Sequence, residues 1–462
     1  RCLSANDPRD RGGDDPMTEF LRQPIEKIRQ VQNKLVAEQV ALCAEGHEYY
    51  KRCWTEHGID TSKVKTIDDL ELLPLTPKQD LMDNPEAFRL RCSNLPLEQR
   101  TLWEVNYTTG TTSDPTPLYV TTHDYVAYLG LAKRVGEISG IREDDILMNL
   151  FPLTPAPMGA FMRSPMNAYA TGATITAALT GAPFGDFNMH RSLDDAVRMI
   201  ERHRATVLWG ITSFVRRAII RATELGVDFS SVRMCSVTGE ASTKEMREDI
   251  RARLREHGVE NPIIFDRYGS TEAGGMAQCR EDADWHNPAP DLLFQEVVDP
   301  ETGKRLPDGE RGALAITQLN RRGTCLVRYL VGDIVSLTHE PCPHCGRGGD
   351  RIVPPIVRTK DLVKVKGMLI NPSVLLESLT AVRALDEFQV VLTRQDEGDA
   401  FSMDEMIVRI ASARVDRDIL ASEVTEAART AARIRPRIEF VEAADIYDPA
   451  KESKAKRLVD RR

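Results

Sequence analysis

Ile263-Ile264-Phe265-Asp266-Arg267-Tyr268-Gly269-Ser270-Thr271-Glu272 opens as an apolar run and breaks into glycine, hydroxyls and a carboxylate. Taken by itself it is a buried strand that empties into a turn. It decides the fold because the pattern recurs upstream: apolar runs at 145–150, 174–179, 206–209 and 234–237 alternate with helical stretches at 192–203, 214–225 and 242–257. Such alternation predicts an α/β region with a substantially parallel sheet, whose ligand loops lie at the strand ends. At one of those ends, the Glu272 carboxylate suits Mg²⁺ held against phosphate oxygens, and Tyr268 suits the cover of a nucleobase.

Two further stretches stand in order around this one. Thr108-Thr109-Gly110-Thr111-Thr112-Ser113 follows a β-rich run at 102–107. Gly110 lets the chain approach a ligand closely, so backbone N–H groups and hydroxyls can turn toward phosphate oxygens. No Gly-Lys-Ser/Thr closes the loop, which excludes a Walker nucleotide site, and the same residues also make ordinary polar turns. Near the C-terminus, Glu452-Ser453-Lys454-Ala455-Lys456-Arg457 offers a cation for an α-phosphate. A solvated basic terminus is the plain alternative.

Length and composition bound the rest. A chain of 462 residues is too long for one simple core and predicts two or three domains. Hydrophobic residues at 41% and charged residues at 28% are ordinary for a soluble globular protein. A net charge of −9 argues against a general nucleic-acid surface. No apolar run reaches the length of about 18 residues that a membrane helix needs. Residues 1–16, rich in Asp, Arg and Gly, read as a disordered extension before Met17. Nine scattered cysteines fit reduced thiols, a cytoplasmic setting and one metal site.

From 17 to 51, Ile28, Val31, Leu35 and Leu42 recur at helical spacing and predict an amphipathic helix with that face in the core. Beyond Asp361 the character changes to a small α+β unit, with strands expected at 388–392, 406–410 and 438–441 around a helix at 417–433. The expected domains are therefore 17–359 and 360–462.

The ordered set of 49–81, the hydroxyl-rich loop, Val237-Thr238-Gly239-Glu240-Ala241, 266–272, 329–333, 358–372 and 453–460 resembles the adenylate-forming superfamily of acyl-CoA synthetases. Within it, the likeness is to the phenylacetate-CoA ligase family and spans about 17–462. The resemblance implies a large N-terminal domain that binds ATP and the acid, with a smaller mobile C-terminal lid. It implies phosphate binding by Thr108, Thr109, Gly110, Thr111 and Thr112, with Gly239, Glu240 and Ala241 bordering the adenine. Tyr268 would lie beside that ring, Gly269, Ser270 and Thr271 would join it in binding the nucleotide, and Asp333 would take the ribose hydroxyls. Arg358 would stand near the nucleotide, Lys360 at the hinge pivot and Gly367 beside a thiol arm. Thr111, Glu272 on Mg²⁺ and Lys454 form the implied catalytic set. Departures are visible: Ser113 and Asp114 stand where the family loop usually has Gly and then Lys or Arg, Lys360 stands where the pivot is usually Asp, and Ser453 replaces a Gly.

Cys342-Pro343-His344-Cys345 supplies a Cys-x-x-Cys knuckle, and Cys279 with His286 supplies a second pair. Two such pairs suit a closed tetrahedral structural Zn²⁺, with His344 as the alternative to His286. Phe151, Met158, Phe161, Met162, Trp209 and Phe214 would suit an aromatic or medium hydrophobic acid, or serve as ordinary core. The reading is an ATP-dependent ligase of a carboxylic acid to coenzyme A, without nucleic-acid or membrane partners and with a homodimer allowed. Transfer to a carrier protein, amine or other acceptor, and a non-catalytic nucleotide- or acyl-binding protein, are the alternatives.

Overall fold

The computed structural model describes residues 19–108, 115–154, 156, 158–181, 190–240, 242–358, 363–365, 368–370, 372–395, 402–412, 416–452 and 454–462. The chain divides into two compact units. One takes the described residues of Arg1–Asn106, Gly110–Gly140 and Glu272–Ile356, the other those of Tyr107–Thr109, Ile141–Thr271 and Val357–Arg462.

The second unit is built on a five-stranded parallel sheet, ordered Thr174–Ala177, Ile146–Asn149, Val207–Ile211, Met234–Thr238 and Ile263–Arg267. Helices Gly159–Thr171, Leu193–Arg202, Thr212–Leu225 and Lys244–Glu256 make the crossovers that parallel pairing requires. Every residue of Val207–Ile211 is buried, as expected for a strand covered on both faces. Ser192 and Thr243 start two of the helices by accepting the Asp195 and Met246 backbone N–H groups. The strand order reverses between Ile146–Asn149 and Val207–Ile211, which is where open α/β sheets leave a crevice for ligands.

The same unit holds a four-stranded sheet ordered Arg437–Phe440, Asp404–Ala411, Glu387–Arg394 and Leu458–Asp460. Its central pair is antiparallel and its outer pairs are parallel. Leu420, Val424 and Ala428 of helix Arg417–Ala432 pack with Val390, Leu392, Val408 and Ile410. The last strand lies in the tail that the sequence offers only as a basic motif.

In the first unit, the single helix expected from 17 to 51 is two, Ile25–Gly46 and Glu48–Glu56. The break is His47, which is extended and accepts the Tyr50 N–H on Nδ1 at 3.2 Å. The core face is also rotated: Ile28, Gln32, Val36, Gln39, Val40 and Cys43 are buried, whereas Val31 is 36% exposed. Two glutamines can face inward because Gln32 donates to the Pro290 carbonyl and Gln39 to the Arg321 carbonyl, both at 3.0 Å. A second five-stranded sheet, absent from the sequence expectation, runs Trp285–His286, Arg351–Arg358, Tyr329–Thr338, Gly312–Gln318 and Leu293–Val298. Its pairing is antiparallel along Leu293–Val298, Gly312–Gln318 and Tyr329–Thr338. Among the described residues no helix is long and apolar enough to cross a membrane.

Candidate functional site

Glu272 is 3% exposed, and a carboxylate that deep needs donors. Tyr329 donates its hydroxyl to Glu272 Oε1 at 3.2 Å, and the half-exposed Lys78 donates to the same oxygen at 3.3 Å. Gln318 Nε2 holds the Glu272 carbonyl at 2.7 Å. Burial, then the Glu272 charge and hydrogen bond, push the Tyr329 hydroxyl far above its ordinary range, so it stays a donor. Tyr329 begins the strand Tyr329–Thr338, which carries Asp333 four residues on, half-buried. Lys78 opens the short helix Lys78–Asp83 behind Pro77.

In the other unit, Lys454 Nζ donates to the Gly239 carbonyl oxygen at 2.6 Å. Gly239 follows the strand Met234–Thr238 with φ +88°, a conformation costly for residues bearing a Cβ. The adjacent Glu240 accepts the Ser213 backbone N–H, while the Ser213 hydroxyl accepts the Ala455 N–H at 3.3 Å. Desolvation pushes the Glu240 carboxyl upward, opposed by Ser213, Arg457 and Lys454. Arg457 is anchored by the buried Glu387 and by the Phe388 carbonyl at 2.8 Å. The tail bearing Lys454 is thus pinned on both sides, by Ser213 and by the four-stranded sheet.

Cys279, His286, Cys342 and Cys345 form a third group, with their donor atoms all within 4.8 Å of one another. Cys279 Sγ lies 3.8 Å from Cys342 Sγ, and Cys345 Sγ lies 3.6 Å from His286 Nε2. A tetrahedral zinc with Zn–S of about 2.3 Å and Zn–N of about 2.05 Å has edges of about 3.8 Å between sulfurs and about 3.6 Å between sulfur and nitrogen. The donor set fits that polyhedron. The hydrogen bond from Cys279 holds the Cys345 thiol far below its ordinary range against the cost of burial, and the same bond raises Cys279.

Of the other residues singled out, Tyr268 is half-buried, Gly269 is exposed, and Ser270 and Thr271 are intermediate. The stretch 268–272 runs through the division between the two units. Thr108 follows the strand Leu102–Tyr107, and Arg358 ends the strand Arg351–Arg358. Thr109, Gly110, Thr111, Thr112, Ser113, Asp114, Ala241, Lys360, Gly367 and Ser453 lie outside the described residues, as does the extension 1–16. Phe151, Met158, Trp209 and Phe214 are buried in the core around the parallel sheet, Phe161 packs against it, and Met162 is 38% exposed. Sequence reasoning missed Lys78, Ser213 and Glu387, and gave Tyr329 and Arg457 no role; what marks them is spatial proximity, which no local spacing encodes.

The family profile described as AMP-binding enzyme matches residues 28–320. Phenylacetate-coenzyme A ligase of Thermus thermophilus is 26% identical over 418 residues, covering 90% of this chain and 89% of that protein. Phenylacetate-coenzyme A ligase of Aromatoleum evansii is 24% identical over 460 residues, covering 95% and 97%. A crystal structure of 2-hydroxyisobutyryl-CoA ligase in the postadenylation state, in complex with 2-HIB-AMP, matches with a TM-score of 0.80 at 21% identity, over 99% of this chain and 95% of that one. The structural likeness carries the α/β fold.

Proposed function

Because this chain belongs to the AMP-binding enzyme family, we propose that it is an AMP-forming acid–CoA ligase that activates a carboxylic acid with ATP and passes the acyl group to coenzyme A. The relatives named phenylacetate-coenzyme A ligase, alike over almost their whole length, support that activity. The single observation that carries the reading is the seat of Lys454 on the Gly239 carbonyl. It brings a tail cation to the carboxyl end of a parallel strand, where such sheets hold ligands.

In the first half-reaction the acid's carboxylate oxygen attacks the α-phosphorus of ATP, the bond to the bridging oxygen breaks, and pyrophosphate leaves. Lys454 stabilises the negative charge that builds on the α-phosphoryl oxygens. Glu272 would hold Mg²⁺: among the described residues its side-chain hydrogen bonds, from Tyr329 and Lys78, fall on Oε1, and Oε2 is the oxygen offered to a cation. When bound, the ion neutralises phosphate charge. Thr108 to Thr112 receive the phosphates, with Thr111 beside the reacting centre. Gly239, Glu240, Ala241 and the stretch Tyr268 to Thr271 border the adenine, and Asp333 takes the ribose hydroxyls, since a carboxylate can accept two at once. In the second half-reaction a thiol attacks the acyl carbon and AMP leaves. We assign residues 360–462 as a lid pivoting at Lys360, with Arg358 near the nucleotide and Gly367 flanking the thiol arm, so that one site serves both steps.

Cys279, His286, Cys342 and Cys345 would hold a structural Zn²⁺, closed to substrate because all four positions are protein ligands. The preferred acid is aromatic, the acceptor is coenzyme A rather than a carrier protein, and the setting is cytoplasmic, where free thiols persist. A homodimer is allowed and is read from sedimentation.

Carboxylate-dependent pyrophosphate exchange over a panel of acids, without coenzyme A, tests the first step. Thioester formation on adding coenzyme A tests the second. Nucleotide binding with no exchange on any acid would instead mean a non-catalytic binder.

A further inference from the structure

Arg267 ends the last strand of the parallel sheet and is only 8% exposed, yet among the described residues no carboxylate pairs with it. Its guanidinium lies over the Trp209 ring, 4.3 Å from the centroid. A cation–π contact compensates only a small part of the cost of desolvating a guanidinium. The consequence is visible in its acidity: burial alone brings the group down to about 10. Other buried arginines of this unit are neutralised. Arg216 meets Asp249 at 2.7 Å and Arg253 meets Asp249 at 2.9 Å, and the half-buried Arg457 meets Glu387.

Position gives this exception a meaning. Trp209 pairs in register with Asn149, across the point where the strand order reverses. It also pairs with Ser236, three residues before Gly239, whose carbonyl seats Lys454. Arg267 itself pairs with Thr238, the residue before Gly239, so its backbone lies one strand residue, about 3.3 Å, from the level of the Lys454 seat, and its side chain runs from there to the Trp209 ring. An acid with its reacting carboxylate beside Lys454 would direct its far end toward Arg267.

We propose that Arg267 is a specificity-determining residue, and that the acid carries a second anionic group, a carboxylate or equivalent oxyanion, at the end remote from the carboxylate that is activated. This rests on the ligase reading above and narrows its substrate class. The carboxylate partner that Arg267 lacks among the described residues is then supplied by the substrate, in a charge-assisted and bidentate pairing that a guanidinium makes well.

The test compares acids of similar shape that differ in the remote group: terephthalate against 4-methylbenzoate, and 4-carboxyphenylacetate against 4-methylphenylacetate. Pyrophosphate exchange gives kcat/KM for each, and calorimetry gives Kd without turnover. Wild type should favour the dianionic member of each pair by more than roughly tenfold, the scale of a buried charge-assisted hydrogen bond. Arg267→Met should cut that preference by roughly ten- to a hundredfold, mainly through KM, and Arg267→Lys should keep part of it. Should Arg267→Met not fold, the wild-type preference and the Arg267→Lys variant decide. Preference for the methyl acids by wild type, or a ratio unmoved by substitution, overturns the assignment while exchange on those acids leaves the ligase reading intact. Absence of exchange on every acid overturns both.

Discussion

Lys454 Nζ donates to the Gly239 carbonyl at 2.6 Å, which ties the C-terminal tail to the loop after the strand Met234–Thr238. The neighbouring lysines are engaged within the tail: Lys451 meets Asp448 at 3.1 Å and Lys456 meets Glu452 at 3.2 Å, both through exposed lysine side chains. Lys454→Ala should therefore lower pyrophosphate exchange by roughly a hundred- to a thousandfold, the cost of removing one preorganised transition-state donor. Thioester formation from supplied acyl-AMP should fall far less. Lys451→Ala and Lys456→Ala should leave exchange within about twofold of wild type, as surface substitutions do. Full exchange in Lys454→Ala would remove the tail from the chemistry.

Glu272 and Tyr329 make the second prediction. Glu272→Gln keeps a carbonyl to accept from Tyr329 and Lys78 while discarding the charge. The Mg²⁺ concentration for half-maximal exchange should rise roughly ten- to a hundredfold, in line with losing a charged ligand. Tyr329→Phe removes one of the two donors on Oε1 and leaves Lys78, so a smaller rise is expected. An unchanged Mg²⁺ dependence in Glu272→Gln would place the ion elsewhere.

The sheets show what a sequence can and cannot disclose. Val207–Ile211 and its parallel neighbours are legible because strands covered on both faces are continuous apolar runs. Leu293–Val298 is equally buried but contains Gln295 and Glu296, 1% exposed each, and so lacks that signature. Glu296 can be there because Arg328 meets it at 2.9 Å and Arg305 at 3.3 Å, from positions 32 and 9 residues away. Helix Ile25–Gly46 hides its inward face in the same way, behind Gln32 and Gln39. The Cys/His group was legible from its spacing, whereas Lys78, 194 residues from Glu272, has no local mark. Hydropathy reads transfer to water; it does not read a polar group whose partner arrives from elsewhere in the chain.

Zinc gives a third prediction. Metal analysis after dialysis should find roughly one zinc per chain, because four protein ligands close the polyhedron. Cys342→Ser should abolish retention and lower the thermal midpoint, since the metal's binding energy is folding energy. Less than a few tenths of an equivalent in wild type would mean the thiols stand reduced without an ion.

The last prediction concerns acid. His47 is fully buried, with Nδ1 accepting from Tyr50 and Nε2 placed to donate to the Cys325 carbonyl at 3.2 Å, so both ring nitrogens are used by the neutral tautomer. Burial lowers its pKa from 6.5 to about 4, against smaller opposing contributions from backbone carbonyls. Between these values the unfolded chain binds a proton that the folded one does not. The contribution is therefore complete above about pH 6.5 and is lost as the pH falls toward 4, by about 3 kcal/mol in all. His47→Asn keeps a side-chain acceptor for the Tyr50 N–H and cannot titrate. It should be less stable than wild type at pH 7.5, with a shallower decline in urea midpoint between pH 6.5 and 4.5. Equal slopes for the two proteins would show that other groups govern the acid limb.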